Sequence, residues 1–182
     1  MQVSNKTTKI VMTALMMCMI MVATMFIRVP IPFTQGYVHL GDAMIFLAVL
    51  IVGWKYGAVA AAVGCSMADI IGGFAMWAPW TFVIKAIMAI VMGLFIQGTL
   101  KFKEKNFAGF PVLEILGMII AGIIMVAGYY IAEGLMYGNW IVPLAGIPWN
   151  AGQFAAGMVI ASIIGVALSK TPARRYFAYK LN

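Results

Sequence analysis

TALMMCMIMVATMF, residues 13–26, runs for fourteen residues without a charge, and polar and apolar side chains do not alternate along it. A membrane β-strand needs that alternation. A helix does not, because it satisfies its own backbone hydrogen bonds in lipid. The stretch therefore reads as a membrane helix, and five similar stretches follow it. With their flanks the six cover about residues 9–27, 39–54, 58–74, 80–100, 111–133 and 149–169. The 182-residue chain is 64% hydrophobic and 9% charged, with a mean hydropathy of +1.02. Ordinary soluble domains carry about 25% charge. One crossing of the roughly 30 Å hydrocarbon core takes about 20 helical residues, so six crossings use most of the chain. The expectation is an all-α integral membrane protein, a six-transmembrane-helix bundle forming one domain over residues 1–182.

The basic residues sort by connector. Lys6 and Lys9 precede the first stretch, and Lys55 lies between the second and third. Lys101, Lys103 and Lys105 lie between the fourth and fifth, and Lys170, Arg174, Arg175 and Lys180 follow the sixth. The alternate connectors hold only Arg28. Such asymmetry places both termini and the KFKEKN connector in the cytoplasm. The net charge of +7 then reads as topogenic anchors facing anionic lipid, not as a nucleic-acid surface. The first stretch lacks a small-residue cleavage site and runs into Arg28-Val29-Pro30-Ile31-Pro32, so it reads as a retained helix. Cys18 and Cys65 have no CxxC spacing and read as packing residues. No internal repeat supports an inverted-repeat transporter.

Polar groups inside a bilayer are costly and need a reason. Gln97 and Glu114, near the cytoplasmic ends of helices 4 and 5, read as interface or salt-bridge residues. The outer half is richer. His39 and Asp42 begin helix 2, and Asp69 lies about one turn from the end of helix 3. Trp77, Thr81 and Lys85 recur every four residues on helix 4. Tyr129, Tyr130 and Glu133 end helix 5, and Asn150 and Gln153 open helix 6 on one face. Aromatic walls with a few convergent polar groups suit a small planar ligand, and two amides suit a heterocycle. Structural readings stand beside this. Lys85 can snorkel or pair with Asp69, Asp42 suits a helix N-terminus, His39 can cap, and the tryptophans Trp77, Trp80, Trp140 and Trp149 can form a belt. Small-residue ladders at Gly64, Ala68 and Gly72, and at Gly157, Ala161 and Gly165, read as packing faces. Ala14 and Cys18 on helix 1 fit internal packing or a partner helix.

His39-Leu40-Gly41-Asp42, Gly53-Trp54-Lys55-Tyr56-Gly57, Ala68-Asp69, the Pro79–Lys85 segment and Asn150-Ala151-Gly152-Gln153 occur in that order. Together they resemble the substrate-binding S components of energy-coupling factor (ECF) vitamin transporters, closest to the riboflavin-type branch that includes the hydroxymethylpyrimidine/pyridoxine group. The resemblance covers essentially the whole chain. It implies a vitamin pocket near the outer surface, closed by the loop from Arg28 to Val38. It also implies a plasma-membrane importer of bacterial type. The chain would dock through Ala14 and Cys18 of helix 1 onto a transmembrane coupling protein (T component) that works with two ATPase subunits. Cys18 stands where the family has a second alanine.

On that reading Asn150 and Gln153 bind the ring, Trp77 or Tyr130 stacks on it, and Thr81 and Lys85 bind its hydroxyl or ring acceptors. Glu133 and His39 are further contacts. The substrate would be pyridoxine or hydroxymethylpyrimidine, with riboflavin as the alternative. The chain has no GxxxxGK[ST] P-loop, so ATP is expected to be used by partner subunits and no cofactor to be held by this chain. With no HExxH, no GxSxG and a single His, enzyme or metal chemistry is not expected. A proton-coupled secondary transporter, with Asp69, Lys85, Glu133 and His39 as a relay, is the rival of another class.

Overall fold

The computed structural model describes residues 5–99, 106–107 and 110–179. Lys101, Lys103, Lys105 and Lys180, and with them most of the basic connector, lie outside the described residues. Six α-helices dominate: α1 (Lys6–Phe26), α2 (Gly41–Val52), α3 (Trp54–Ile71), α4 (Ala78–Thr99), α5 (Val112–Tyr137) and α6 (Gly146–Ser169). Between α1 and α2 the chain forms an antiparallel hairpin of β1 (Arg28–Pro30) and β2 (Tyr37–His39), in the register Arg28↔His39, Val29↔Val38, Pro30↔Tyr37. A two-residue pair, β3 (Asn106–Phe107) with β4 (Phe110–Pro111), precedes α5. Single 3-10 turns precede and follow α6, at Val142–Ala145 and Pro172–Tyr176.

The helices pack in the order α1, α3, α4, α5, α6, and α2 completes the arrangement between α6 and α1 while also touching α3 and α4. Position follows from composition. GDAMIFLAVLIV is apolar almost all round, which suits a helix enclosed by others, and eleven of its twelve residues are buried. At 1.5 Å per residue α2 is about 18 Å long, shorter than the hydrocarbon core. Four helical segments are long and apolar enough to cross a membrane: Lys6–Phe26, Ala78–Gly98, Val112–Tyr137 and Val142–Ser169.

Several boundaries differ from those expected. Helices 2 and 3 were expected to be separated by a connector holding Lys55. Instead Gly53, with φ +84°, joins them alone, and Lys55 lies in the first turn of α3. Glycine carries that backbone angle without the strain a side chain adds. α5 continues four residues past Glu133 to Tyr137, and α6 begins at Gly146, so the expected fifteen-residue loop is much shorter. Pro148 sits in the first turn of α6, where a missing N–H costs nothing.

The expected small-residue ladders do face neighbouring helices. A Cβ at Gly64 would lie 2.8 Å from the Met17 carbonyl oxygen on α1. One at Gly157 would lie 2.9 Å from Asp42 Cβ and 3.0 Å from the Ala43 nitrogen on α2. Gly157→Leu should therefore overpack the α2–α6 contact and destabilise the fold by about 1–3 kcal/mol. The measurement is the unfolding midpoint in detergent, and a midpoint equal to wild type would contradict this packing.

The C-terminal segment folds back against the end of α2 remote from the hairpin. The Ala178 N–H donates to the Leu50 carbonyl (2.9 Å), and the Tyr179 hydroxyl donates to the Gly93 carbonyl (3.3 Å) and accepts from the Trp54 N–H (3.4 Å). Phe177 and Tyr179 are buried. The tail thus supplies a donor to a last-turn carbonyl of α2 that the helix cannot satisfy itself.

Candidate functional site

At the hairpin end of the bundle a cleft of about 350 Å³, counting its open mouth, lies between the hairpin and α3, α4, α5 and α6. Ile31, Trp77 and Tyr129 give it apolar and aromatic surface, and Gly36 lies at the hairpin side. Tyr37, His39, Asp69, Thr81, Glu133, Asn150 and Gln153 supply polar groups. Trp77 is edge-on to Tyr137 at 6.4 Å and tilted against Tyr129 at 6.3 Å, an arrangement favoured by ring quadrupoles.

A buried polar network braces the cleft. Lys85 on α4 and Asp42 on α2 form an ion pair at 2.5 Å, with both side chains fully buried. Gln153 on α6 donates from Nε2 to the other Asp42 oxygen (2.8 Å) and accepts the His39 backbone N–H on Oε1 (2.9 Å). The Gly41 N–H donates to His39 Nδ1 (3.0 Å). Because Nδ1 accepts that bond, the ring's proton sits on Nε2. One network thus ties together the hairpin, α2, α4 and α6.

The hairpin is held over the cleft by side chains of its own. Tyr37 donates its hydroxyl to Asp69 Oδ1. The Gln35 N–H donates to the Tyr137 hydroxyl (3.1 Å). Arg28 reaches the carbonyls of Ala68 (3.0 Å), Gly72 (3.4 Å) and Thr24 (3.4 Å) while lying over the Tyr37 ring at 4.9 Å. It adds side-chain donors to carbonyls at the end of α3, including that of Ala68, which also accepts the Gly72 N–H (2.9 Å). Gly36 lies close in: a Cβ there would be 3.6 Å from both Glu133 Oε1 and the Trp77 ring.

Three polar atoms of the cleft residues are buried with no hydrogen-bond partner among the described residues: Asp69 Oδ2, Trp77 Nε1 and Glu133 Oε2. Buried polar groups are normally satisfied, and an exception needs an explanation.

Of the residues singled out from sequence, the structure brings Trp77, Thr81, Glu133, His39, Asn150 and Gln153 to this cleft. It places two others elsewhere. Lys85 is not a lining residue: it lies fully buried against Asp42, and that residue, not Asp69, neutralises it. Tyr130 turns away and donates to the Trp140 carbonyl (3.2 Å), while its neighbour Tyr129 lines the cleft and donates to Thr81 (3.3 Å). Adjacent helix positions diverge by 100°, so only one of two neighbouring tyrosines can face inward. Gln153 faces the cleft, but its amide is engaged on both sides by the protein. Trp140 and Trp149 are half-exposed, as belt residues would be, whereas Trp77 is buried. Sequence reasoning read Asp69 as a partner of Lys85 or a member of a relay rather than as a cleft residue, and it passed over Tyr37. The signal available was an acidic residue one turn inside an apolar helix, and its partner was hidden in a segment read as loop. Ala14 and Cys18 lie exposed on α1, so that face is not used for packing inside the bundle.

A helical bundle with an aromatic and polar cleft at one end has the form of a small-ligand site. Residues 4–170 match the family model described as ECF-type riboflavin transporter, S component. The chain belongs to that family, whose members are substrate-capture subunits of membrane transport complexes rather than enzymes. It is 34% identical over 149 residues, 82% of this chain and 93% of the other, to a Pyrococcus woesei protein named only by its position in a gap 3' region. It is 27% identical over 143 residues to the thiamine precursor transporter HmpT of Lactococcus lactis subsp. cremoris (strain MG1363), covering 78% of this chain and 76% of that one. The fold matches a solved S component of a bacterial ECF transporter with a TM-score of 0.68 at 21% identity, over 91% of this chain and 97% of the other.

Proposed function

We propose that the chain captures a small nitrogen heterocycle, hydroxymethylpyrimidine or the similar ring pyridoxine, for an ATP-driven ECF importer in the plasma membrane. The observation that carries this is the cleft itself, with aromatic surface and a few convergent polar groups from the hairpin and four helices. Likeness to HmpT, named as a thiamine precursor transporter, supports the same choice.

All six helices would cross or enter the bilayer with both termini inside, as the basic connectors require. The hairpin end would then face outward. ATP would be hydrolysed by two partner subunits, and a T component would receive the exposed face of α1.

Titration calorimetry of the purified protein in detergent tests the substrate. Hydroxymethylpyrimidine or pyridoxine should saturate it and riboflavin should not; saturation by riboflavin alone would reverse the assignment. Asn150, buried at the cleft, should contribute an amide contact. Asn150→Ala should weaken binding by more than about 1 kcal/mol, a typical cost of leaving a buried partner unsatisfied. An unchanged affinity would remove Asn150 from the site.

A further inference from the structure

We infer that Asp69 and Glu133 are the specificity-determining residues of the cleft, each accepting a hydrogen bond from a different donor group of the ligand, while the Trp77 N–H donates to an acceptor of the same ligand. The inference rests on the capture reading above and deepens it.

Asp69 and Glu133 come from different helices, α3 and α5, and both are almost fully buried, at 3% and 2% exposed. Trp77, before α4, is 4% exposed. All three line the cleft, and each has a polar atom without a partner among the described residues: two acceptors and one donor. The rest of each carboxylate is set in place. Tyr37 occupies Asp69 Oδ1 and the Thr81 hydroxyl lies beside the same carboxylate, while Oδ2 has no partner at full hydrogen-bond geometry among the described residues. Glu133 has Gly146 beside it and Gly36 above it: a Cβ at Gly146 would lie 3.4 Å from Oε2, and one at Gly36 would lie 3.6 Å from Oε1. Buried acceptors with no donor carry a penalty that a ligand donor removes.

The complementary ligand has two separate donor groups and at least one acceptor on one ring. An aminopyrimidine bearing a hydroxymethyl group fits: its amino and hydroxyl groups donate and its ring nitrogens accept. A site built to hydrogen-bond such groups rejects analogues lacking them, because its own polar atoms are then left unpaired.

The experiment titrates wild type, Asp69→Asn and Glu133→Gln with 4-amino-5-hydroxymethyl-2-methylpyrimidine and with the two analogues lacking its amino or its hydroxyl group. Wild type should bind each analogue at least about tenfold more weakly than the parent. One variant should lose discrimination against the deamino analogue and the other against the dehydroxy analogue. The analogue arm on wild type needs no folded variant. Melting curves of the near-isosteric variants separate lost recognition from lost fold. Equal binding of all three compounds by wild type would overturn the inference and leave pyrimidine capture standing. So would variants that discriminate as wild type does. If wild type binds riboflavin but not the pyrimidine, the substrate assignment fails, and the variants are titrated with riboflavin instead. At least tenfold losses in both then support the two-carboxylate reading, and an unchanged affinity in either overturns it. Binding of none of these compounds overturns the inference, and if pyridoxine also fails to bind, it overturns the capture reading as well.

Discussion

Replacing Asp42 by alanine is expected to destabilise the folded protein by about 3–5 kcal/mol, the usual cost of stranding one member of a buried ion pair. Lys85 has no exposure to solvent, and its ammonium reaches the Tyr129 ring only at 5.3 Å, as a cation–π contact. That contact is worth at most about 2 kcal/mol, so it cannot replace the lost carboxylate. Gln153 would lose its acceptor in the same step. The unfolding midpoint in detergent checks the loss. The double variant Asp42→Leu with Lys85→Met should recover much of it, because a well-packed apolar pair often matches a buried ionic one. A single variant as stable as wild type would show that water or another group reaches Lys85. The pair joins α2 to α4 under the cleft, so it braces the site without touching what the site holds.

A tryptophan at Ala14 is expected to abolish uptake while leaving ligand affinity within about twofold of wild type, a difference of roughly 0.4 kcal/mol. Ala14 is exposed on α1, a helix that supplies no residue to the cleft lining. Close helix association in lipid relies on small residues, and an indole there would hold the coupling protein off. Reconstituted vesicles with the complete transporter measure uptake, and calorimetry on the isolated chain measures binding. Normal uptake would count against α1 as the docking face. Loss of both uptake and binding would instead place Ala14 in the fold of the binding subunit.

Much of this architecture was legible from residues. Runs such as TALMMCMIMVATMF mark helices because nothing in them could serve a strand, and the Gly157 ladder marks a packing face because small residues are what close contact needs. The cleft was legible as a set of helix ends carrying polar groups. The partnership of those groups was not. Lys85 lies within helical reach of both Asp42 and Asp69 in any reading of the sequence, and only the placement of α2 in the interior decides for Asp42. Tyr129 and Tyr130 are indistinguishable by composition, and their 100° separation matters only once the orientation of α5 is known. The hairpin was hidden for another reason. Val29-Pro30-Ile31-Pro32 ends a helix by sterics, but its pairing with Tyr37–His39 depends on Arg28 and Tyr37 gripping the end of α3.

The brevity of α2 also shapes the two ends of the bundle. At about 18 Å it falls short of a hydrocarbon layer of roughly 30 Å, so it cannot reach both faces of such a layer by itself. The hairpin lies at one end of it and the folded-back tail with Tyr179 at the other, and these two short segments, rather than more helix, fill out the column that α2 begins.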